Sequence, residues 1–313
     1  NATLLAFAPV AEARGDTARA ARWREHATRL AAAVEREAWD GAWYRRGYYD
    51  DGAPLGSCQS DECRIDSIAQ SWGVISGAAD EARVARAMDE VDARLVDHEH
   101  DLIRLFTPAF DRSAHDPGYV KGYPAGLREN GGQYTHGAVW SVLAFTRLGD
   151  GDRAGELLSM INPVHHADTA ERMNRYKVEP YVLCADLYTA PGHEGRGGWT
   201  WYTGSAGWLY RTALEGLLGF EVLDRQISIE PCIPRRWTGY RVSYQRGDTR
   251  HLIHISNPQG VNRGIRSVTV DGVAVERPAV GAPTVGSSAT HGTRALLPVF
   301  EDGRTHHVEI ILG

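Results

Sequence analysis

Residues 205–229, SAGWLYRTALEGLLGFEVLDRQISI, change period halfway along. From Ser205 to Leu218 apolar side chains recur every three to four positions, the spacing that gives a helix one buried face. From Gln226 to Ile229 they alternate instead, as in a strand with one face buried. Gly219 marks the change, so the chain is expected to divide into a helical part (1–222) and a β part (223–313).

Upstream of this junction the pattern is one of paired helices. Leu4, Leu5, Phe7, Ala8 and Ala11 lead to a stop at Gly15-Asp16, and Ala20, Trp23, Ala27, Leu30, Ala31 and Val34 give the next amphipathic face. A third helix is expected to begin in Ile65–Trp72 and end near Gly77. Asp80 caps a fourth, with Val84, Met88, Val91 and Leu95 on one side. Gln133–Leu148 and Arg153–Ile161 make a hairpin turned at Gly149-Asp150-Gly151, and a further helix is expected over Glu179–Leu187. Helix, turn, helix and then a loop rich in Gly, Pro, Tyr and Trp is the rhythm of stacked α-hairpins. The loops Trp39–Asp66, His98–Glu129 and Thr189–Thr200 look ordered and site-forming. Downstream, Arg241–Tyr244, Leu252–Ile255, Ser267–Val270 and Val308–Ile311 alternate as strands, and Asp271-Gly272 is a hairpin turn. A small antiparallel β-sandwich is expected, with a loose loop over Val280–Thr293.

The 313 residues carry 34 Lys+Arg against 40 Asp+Glu, a net charge of −6, and mean hydropathy is −0.37. Basic residues are scattered, which argues against a nucleic-acid groove or an anionic-membrane surface. No run approaches the roughly 18 apolar residues of a membrane span. Nine Trp and thirteen Tyr are too much apolar area for a disordered chain. Cys58, Cys63, Cys184 and Cys232 read as free thiols, because a lone C-x4-C pair lacks the second pair of a zinc site. His165-His166 point different ways, so no metal site is expected. The start shows neither an initiator Met nor a secretory leader, and the chain is expected to be a piece of a longer protein.

Two segments can carry chemistry. Arg128-Glu129-Asn130-Gly131-Gly132-Gln133-Tyr134-Thr135-His136 runs into a helix start, where N–H groups lack intrahelical acceptors and an anion can bind. Arg128 and Glu129 suit sugar hydroxyls as donor and acceptor; a plain Gly-Gly turn with a capping network is the alternative. In Gly197-Gly198-Trp199-Thr200-Trp201-Tyr202-Thr203-Gly204-Ser205, small residues open another helix and flat rings could face a pyranose. An aromatic wedge at a helix start is the alternative there. A nucleotide P-loop is excluded because its Lys is missing.

These strings, with Glu179-Pro180-Tyr181-Val182 between them, resemble the inverting glycoside phosphorylases typified by cellobiose phosphorylase. Asp61-Glu62-Cys63-Arg64-Ile65-Asp66-Ser67-Ile68-Ala69-Gln70-Ser71-Trp72, Tyr119-Val120-Lys121-Gly122-Tyr123 and Gly197–Trp208 narrow the resemblance to the C-terminal phosphorylase-like region of cyclic β-1,2-glucan synthases. The resemblance covers nearly the whole chain. It implies part of an (α/α)6 barrel followed by a small β domain. The reaction implied is attack of inorganic phosphate on a β-glucosidic bond, with inversion and no cofactor. His136, Thr203 and Gly204 match phosphate-contacting positions, and Glu129 matches a sugar-contacting one. Arg128 stands where many disaccharide phosphorylases have Lys.

The family's general acid lies in an Asp-Trp-Asn-Asp-like string that this sequence lacks. Asp50, Asp51, Asp61, Asp66 and Asp186 do not stand in that context. The acid is therefore expected upstream, on the missing half of the same protein, and the chain alone is expected to be inactive. Further expectations are a β-glucan oligosaccharide partner, a homodimer through the exposed half-barrel, and a parent at the cytoplasmic face of an inner membrane. Other readings are a stand-alone β-1,2-oligoglucan phosphorylase, a glucan-binding or chain-measuring module, and a hydrolase using Glu129 or Glu179.

Overall fold

The computed structural model describes residues 1–275 and 294–313, so the segment expected as a loose loop lies outside the described residues. The helices are α1 (Ala2–Ala13), α2 (Thr17–Ala33), α3 (Ser67–Ile75), α4 (Glu81–Leu95), α5 (Thr135–Leu148), α6 (Gly151–Met160), α7 (Ala170–Tyr176) and α8 (Thr203–Arg211). Several begin on side-chain caps. Asp16, Asp66, Asp80 and Thr169 accept from the N–H groups of Arg19, Ile68, Arg83 and Arg172 respectively, which satisfies donors the helix cannot. On α4 the expected face is the buried one: Val84, Met88, Val91 and Leu95, with Ala87.

Two compact units follow from the contacts, one comprising Asn1–Ala144 and Leu158–Leu209, the other Phe145–Leu157 with 210–275 and 294–313. In the first unit α1 lies on α2 through Ala8, Ala11 and Ala20, with Trp23 against them. Short two-residue ladders tie the long loops down: Gly47–Tyr48 with Pro54–Leu55, Ile65–Asp66 with Phe106–Thr107, and Gln133–Tyr134 with Asp186–Leu187.

The second unit carries strands β1 (Phe220–Leu223), β2 (Gln226–Ile229), β3 (Gly239–Arg246), β4 (Thr249–Ser256), β5 (Ile265–Val270), β6 (Val273–Ala274), β7 (Ala295–Pro298) and β8 (Thr305–Leu312). They form one sheet in the order β7-β2-β1 and another in the order β3-β4-β8-β5-β6. Ile227, Ile229 and Leu297 of the first share one apolar cluster with Ile253, Ile255, Val308 and Ile310 of the second. At the α5–α6 turn, Gly149 (φ +89°) lets the Arg263 guanidinium approach, and Arg263 Nη2 donates to the Thr146 carbonyl at 3.0 Å.

Five differences separate the structure from the sequence expectation. Glu179–Leu187 is not a helix: Pro180 and Tyr181 lie in a turn and Asp186–Leu187 is a strand, because that backbone is taken by pairing with Gln133–Tyr134. The same pairing delays α5 to Thr135. The helix expected from Ser205 begins at Thr203 and widens into a π turn over Thr212–Leu217. The ladders are antiparallel except β4–β8, which is parallel. A strand placed between the antiparallel neighbours β4 and β5 must run with one of them. Helix α7 had no apolar periodicity long enough to announce it.

Candidate functional site

The site is built on three extended segments lying side by side. Tyr134 is opposite Asp186 and Gln133 opposite Leu187, while Gly198 N–H donates to the Asp186 carbonyl at 2.8 Å and Ala185 N–H to the Trp199 carbonyl at 2.6 Å. Loops 124–132 and 195–202 are thereby brought to one place. Gly126 must be glycine, since its φ is +87° and a Cβ there would stand 2.4 Å from the Ala190 nitrogen. Asn130, fully buried, accepts from Phe110 N–H and donates to the carbonyls of Phe110 and Tyr123, fastening loop 98–129 alongside.

His136 lies in the first turn of α5, and Thr203 and Gly204 open α8. The structure brings them together: a Cβ on Gly204 would fall 2.8 Å from His136 Nε2, and His136 Nδ1 is 3.1 Å from the hydroxyl of the buried Ser205. Tyr134 stacks on His136 with centroids 5.7 Å apart, and Tyr202 meets it edge-on at the same separation. The two phenols are hydrogen-bonded at 2.9 Å. Burial lowers the His136 pKa below its ordinary value, favouring neutral imidazole, and burial with the Tyr202 contact raises that of Tyr134. Thr203 and Gly204 are exposed, so the helix start is open to a ligand.

Arg128 and Glu129 form a second group, within electrostatic reach of Tyr202. The guanidinium lies 4.8 Å from the Trp199 ring centroid and 5.8 Å from that of Tyr123. Its Nε is 3.7 Å from Glu129 Oε2, and its Nη1 is 4.0 Å from Asp186 Oδ1, both too long for hydrogen bonds. Arg128 Nε and Nη1, Glu129 Oε2 and Asp186 Oδ1 are all buried without a hydrogen-bond partner. Such atoms are expensive to leave unpaired and mark where a polar ligand would be welcome. Asp186 is fully buried, and burial raises its pKa against the pull of Arg128.

Asp186 is the member that sequence reasoning set aside. No spacing announces it; the signal lies in a backbone pairing between residues fifty-two apart. Of the other carboxylates weighed as acids, Asp66 caps α3 and Asp51 pairs with His115 at 3.2 Å. Glu179 accepts from the Trp201 indole N–H at 3.3 Å, and Trp201 is 64% exposed, Trp199 69%. Among the described residues no three His, Cys, Asp or Glu side chains are grouped to bind a metal, and Cys58, Cys63, Cys184 and Cys232 are free. No described helix is long and apolar enough to cross a membrane.

Comparison with known proteins bears on these residues. The profile of the glycosyl hydrolase 94 superfamily, catalytic domain, matches residues 2–219. The cyclic beta-(1,2)-glucan synthase NdvB of Rhizobium meliloti (strain 1021) is 50% identical over 266 residues, 85% of this chain and 9% of the synthase. An N,N'-diacetylchitobiose phosphorylase of Vibrio furnissii is 33% identical, across 91% of this chain and 35% of its own length. A 3-O-beta-D-glucopyranosyl-beta-D-glucuronide phosphorylase of Paenibacillus borealis is 32% identical, across 86% and 34%. The chain thus spans about a tenth of the synthase and about a third of these phosphorylases. A solved structure titled a sialidase is alike in fold alone, with a TM-score of 0.50 and 13% identity over 77% of this chain.

Proposed function

The chain belongs to the glycosyl hydrolase 94 superfamily, and from that membership we propose that it carries part of the active site of an inverting β-1,2-glucan phosphorylase domain. The observation that supports this reading is the meeting of His136 with the Thr203-Gly204 helix start, beside Arg128 and Glu129 with polar atoms unpartnered. Residues 1–222 are the C-terminal portion of an (α/α)6 toroid and 223–313 the closing β domain. The parent is a cyclic β-1,2-glucan synthase at the cytoplasmic face of an inner membrane, with a stand-alone β-1,2-oligoglucan phosphorylase as the alternative.

In the reaction, phosphate attacks the anomeric carbon from the face opposite the leaving oxygen. The C–O bond to the leaving sugar breaks, an acid protonates that oxygen, and α-glucose 1-phosphate is released. Phosphate is already nucleophilic, so no carboxylate base is required. This chain's share is to orient two reactants. The first N–H groups of α8 and the His136 imidazole hold the anion. If the Ser205 hydroxyl donates to Nδ1, the imidazole proton sits on Nε2, facing Gly204. Arg128 and Glu129 meet sugar hydroxyls as donor and acceptor. The acid lies on a segment upstream, and its loss alone costs about 10² to 10⁴ in rate. The isolated chain is inactive in this account.

Titrating inorganic phosphate while following the His136 ring nuclei by NMR tests the anion cradle. Saturable shifts are expected, with affinity falling about 10-fold or more in Thr203→Ala by the same signal and in His136→Ala by calorimetry. Phosphate that leaves His136 unmoved would contradict it. The exposed Trp199 and Trp201 favour one second reading, a glucan-binding module, in which oligosaccharide binds and phosphate does not.

A further inference from the structure

Asp186 sits where loops 124–132 and 195–202 meet, and three observations set it apart from an ordinary buried carboxylate. Its Oδ2 accepts the Arg128 backbone N–H at 3.1 Å, and the Trp199 backbone N–H faces the same carboxylate. Arg128 has φ +51°, a left-handed conformation that non-glycine residues adopt only when their surroundings impose it. Gly198 completes the enclosure: a Cβ there would lie 2.3 Å from Asp186 Oδ1, so the carboxylate fits only against glycine.

The guanidinium of Arg128 is poised by this arrangement without being consumed by it. Asp186 Oδ1 and Glu129 Oε2 flank it at 4.0 and 3.7 Å, and Trp199 stacks on it. Two donors and two acceptors in one buried cluster stay unpartnered. A hydroxyl both donates and accepts, so vicinal hydroxyls are the chemistry that meets the Arg128 donors and the Glu129 acceptor together.

We infer that Asp186 is a positioning residue: its carboxylate fixes the backbone and guanidinium of Arg128 so that Arg128 and Glu129 present a matched donor and acceptor to sugar hydroxyls. This rests on the reading of Arg128 and Glu129 as sugar-contacting residues. Asp186 acts through Arg128 and touches no reacting atom.

The test is Asp186→Asn, which keeps the shape and one acceptor for the Arg128 N–H but removes the charge. Two readouts are taken on the full chain: hydrogen exchange of the Arg128 Nε–H by NMR, assigned by its loss in Arg128→Lys, and glucose affinity by calorimetry. Exchange is expected to speed up at least about 10-fold, and glucose affinity to fall by a similar factor. Adding Asp186→Asn to Arg128→Lys should then cost no further affinity, as for residues acting in series. Unchanged Nε–H exchange overturns the inference whether or not glucose binds. Faster exchange in a protein whose wild type binds no glucose keeps the positioning role and overturns the sugar-site reading instead. Should Asp186→Asn fail to fold, Arg128→Met in the native background asks the same question through melting temperature. A fall that Arg128→Lys does not show supports the pairing, and equal melting in all three proteins overturns it.

Discussion

Gly204 shows how one missing carbon shapes the candidate anion cradle. It stands second in α8 and is exposed, so on helix propensity alone alanine is the better residue by roughly 0.5–1 kcal/mol. A methyl there would nevertheless fall 2.8 Å from His136 Nε2 and push the imidazole from the helix start. Gly204→Ala is therefore expected to melt at the same or a slightly higher temperature while losing phosphate affinity. An alanine variant that binds phosphate as the wild type does would remove the cradle from the account. The protonation of His136 points the same way. Burial lowers its pKa from the ordinary value, favouring a neutral ring, and a neutral donor suits an anion that must later leave with the product of the proposed reaction.

At the scale of elements, a buried histidine gives the β region a pH signature. His306 on β8 is 3% exposed, with Nδ1 2.7 Å from Asp271 Oδ2 and Nε2 3.0 Å from Asp302 Oδ1. Phe300 stacks on it at 4.0 Å, and the His251 ring lies 5.9 Å away. The Asp271 hydrogen bond, then that of Asp302, raises its pKa above 6.5. A raised folded-state value gives stability that is full below 6.5 and fades as pH rises through the raised value. Asp271 and Asp302 are held below 3.8, Asp271 first by the His307 N–H and Asp302 first by His306, so their share fades on acidification below that point. The melting difference between wild type and His306→Gln should peak between about pH 4 and 6.5 and shrink above. A difference constant from about pH 5 to 9 would contradict this.

Much of this scale was legible beforehand, because caps and apolar periods act locally: Asp80 with Val84, Met88, Val91 and Leu95 is one example. What escaped was non-local. The residues 179–187 look helical by composition, yet Asp186–Leu187 is claimed by a partner strand fifty-two residues upstream. The parallel β4–β8 ladder was hidden for the same reason, since strand order is not written in any one strand. In the candidate site, His136, Thr203 and Gly204 were visible as small or basic residues at helix starts. Asp186 was not, because its importance comes from tertiary enclosure by Gly198 and Arg128.

For the whole molecule, α1 carries an open question of coverage. Ala8 and Ala11 face α2, while Leu5, Phe7 and Val10 are 39%, 55% and 52% exposed on the other side. A helix apolar all round is normally covered all round. The upstream half of the proposed toroid would supply that cover, and without it a second copy of the chain would. Sedimentation at tens of micromolar should show self-association that Phe7→Glu weakens; a monodisperse wild-type monomer would contradict it. The most direct test of the central claim is glucose 1-phosphate release from β-1,2-glucooligosaccharides and phosphate. It compares this chain with one extended upstream through the proposed Asp-Trp-Asn-Asp-like segment. Activity in the extended protein alone, abolished there by His136→Ala, is the predicted result. Release by the short chain would contradict the missing-acid account, and silence in both would contradict the phosphorylase reading.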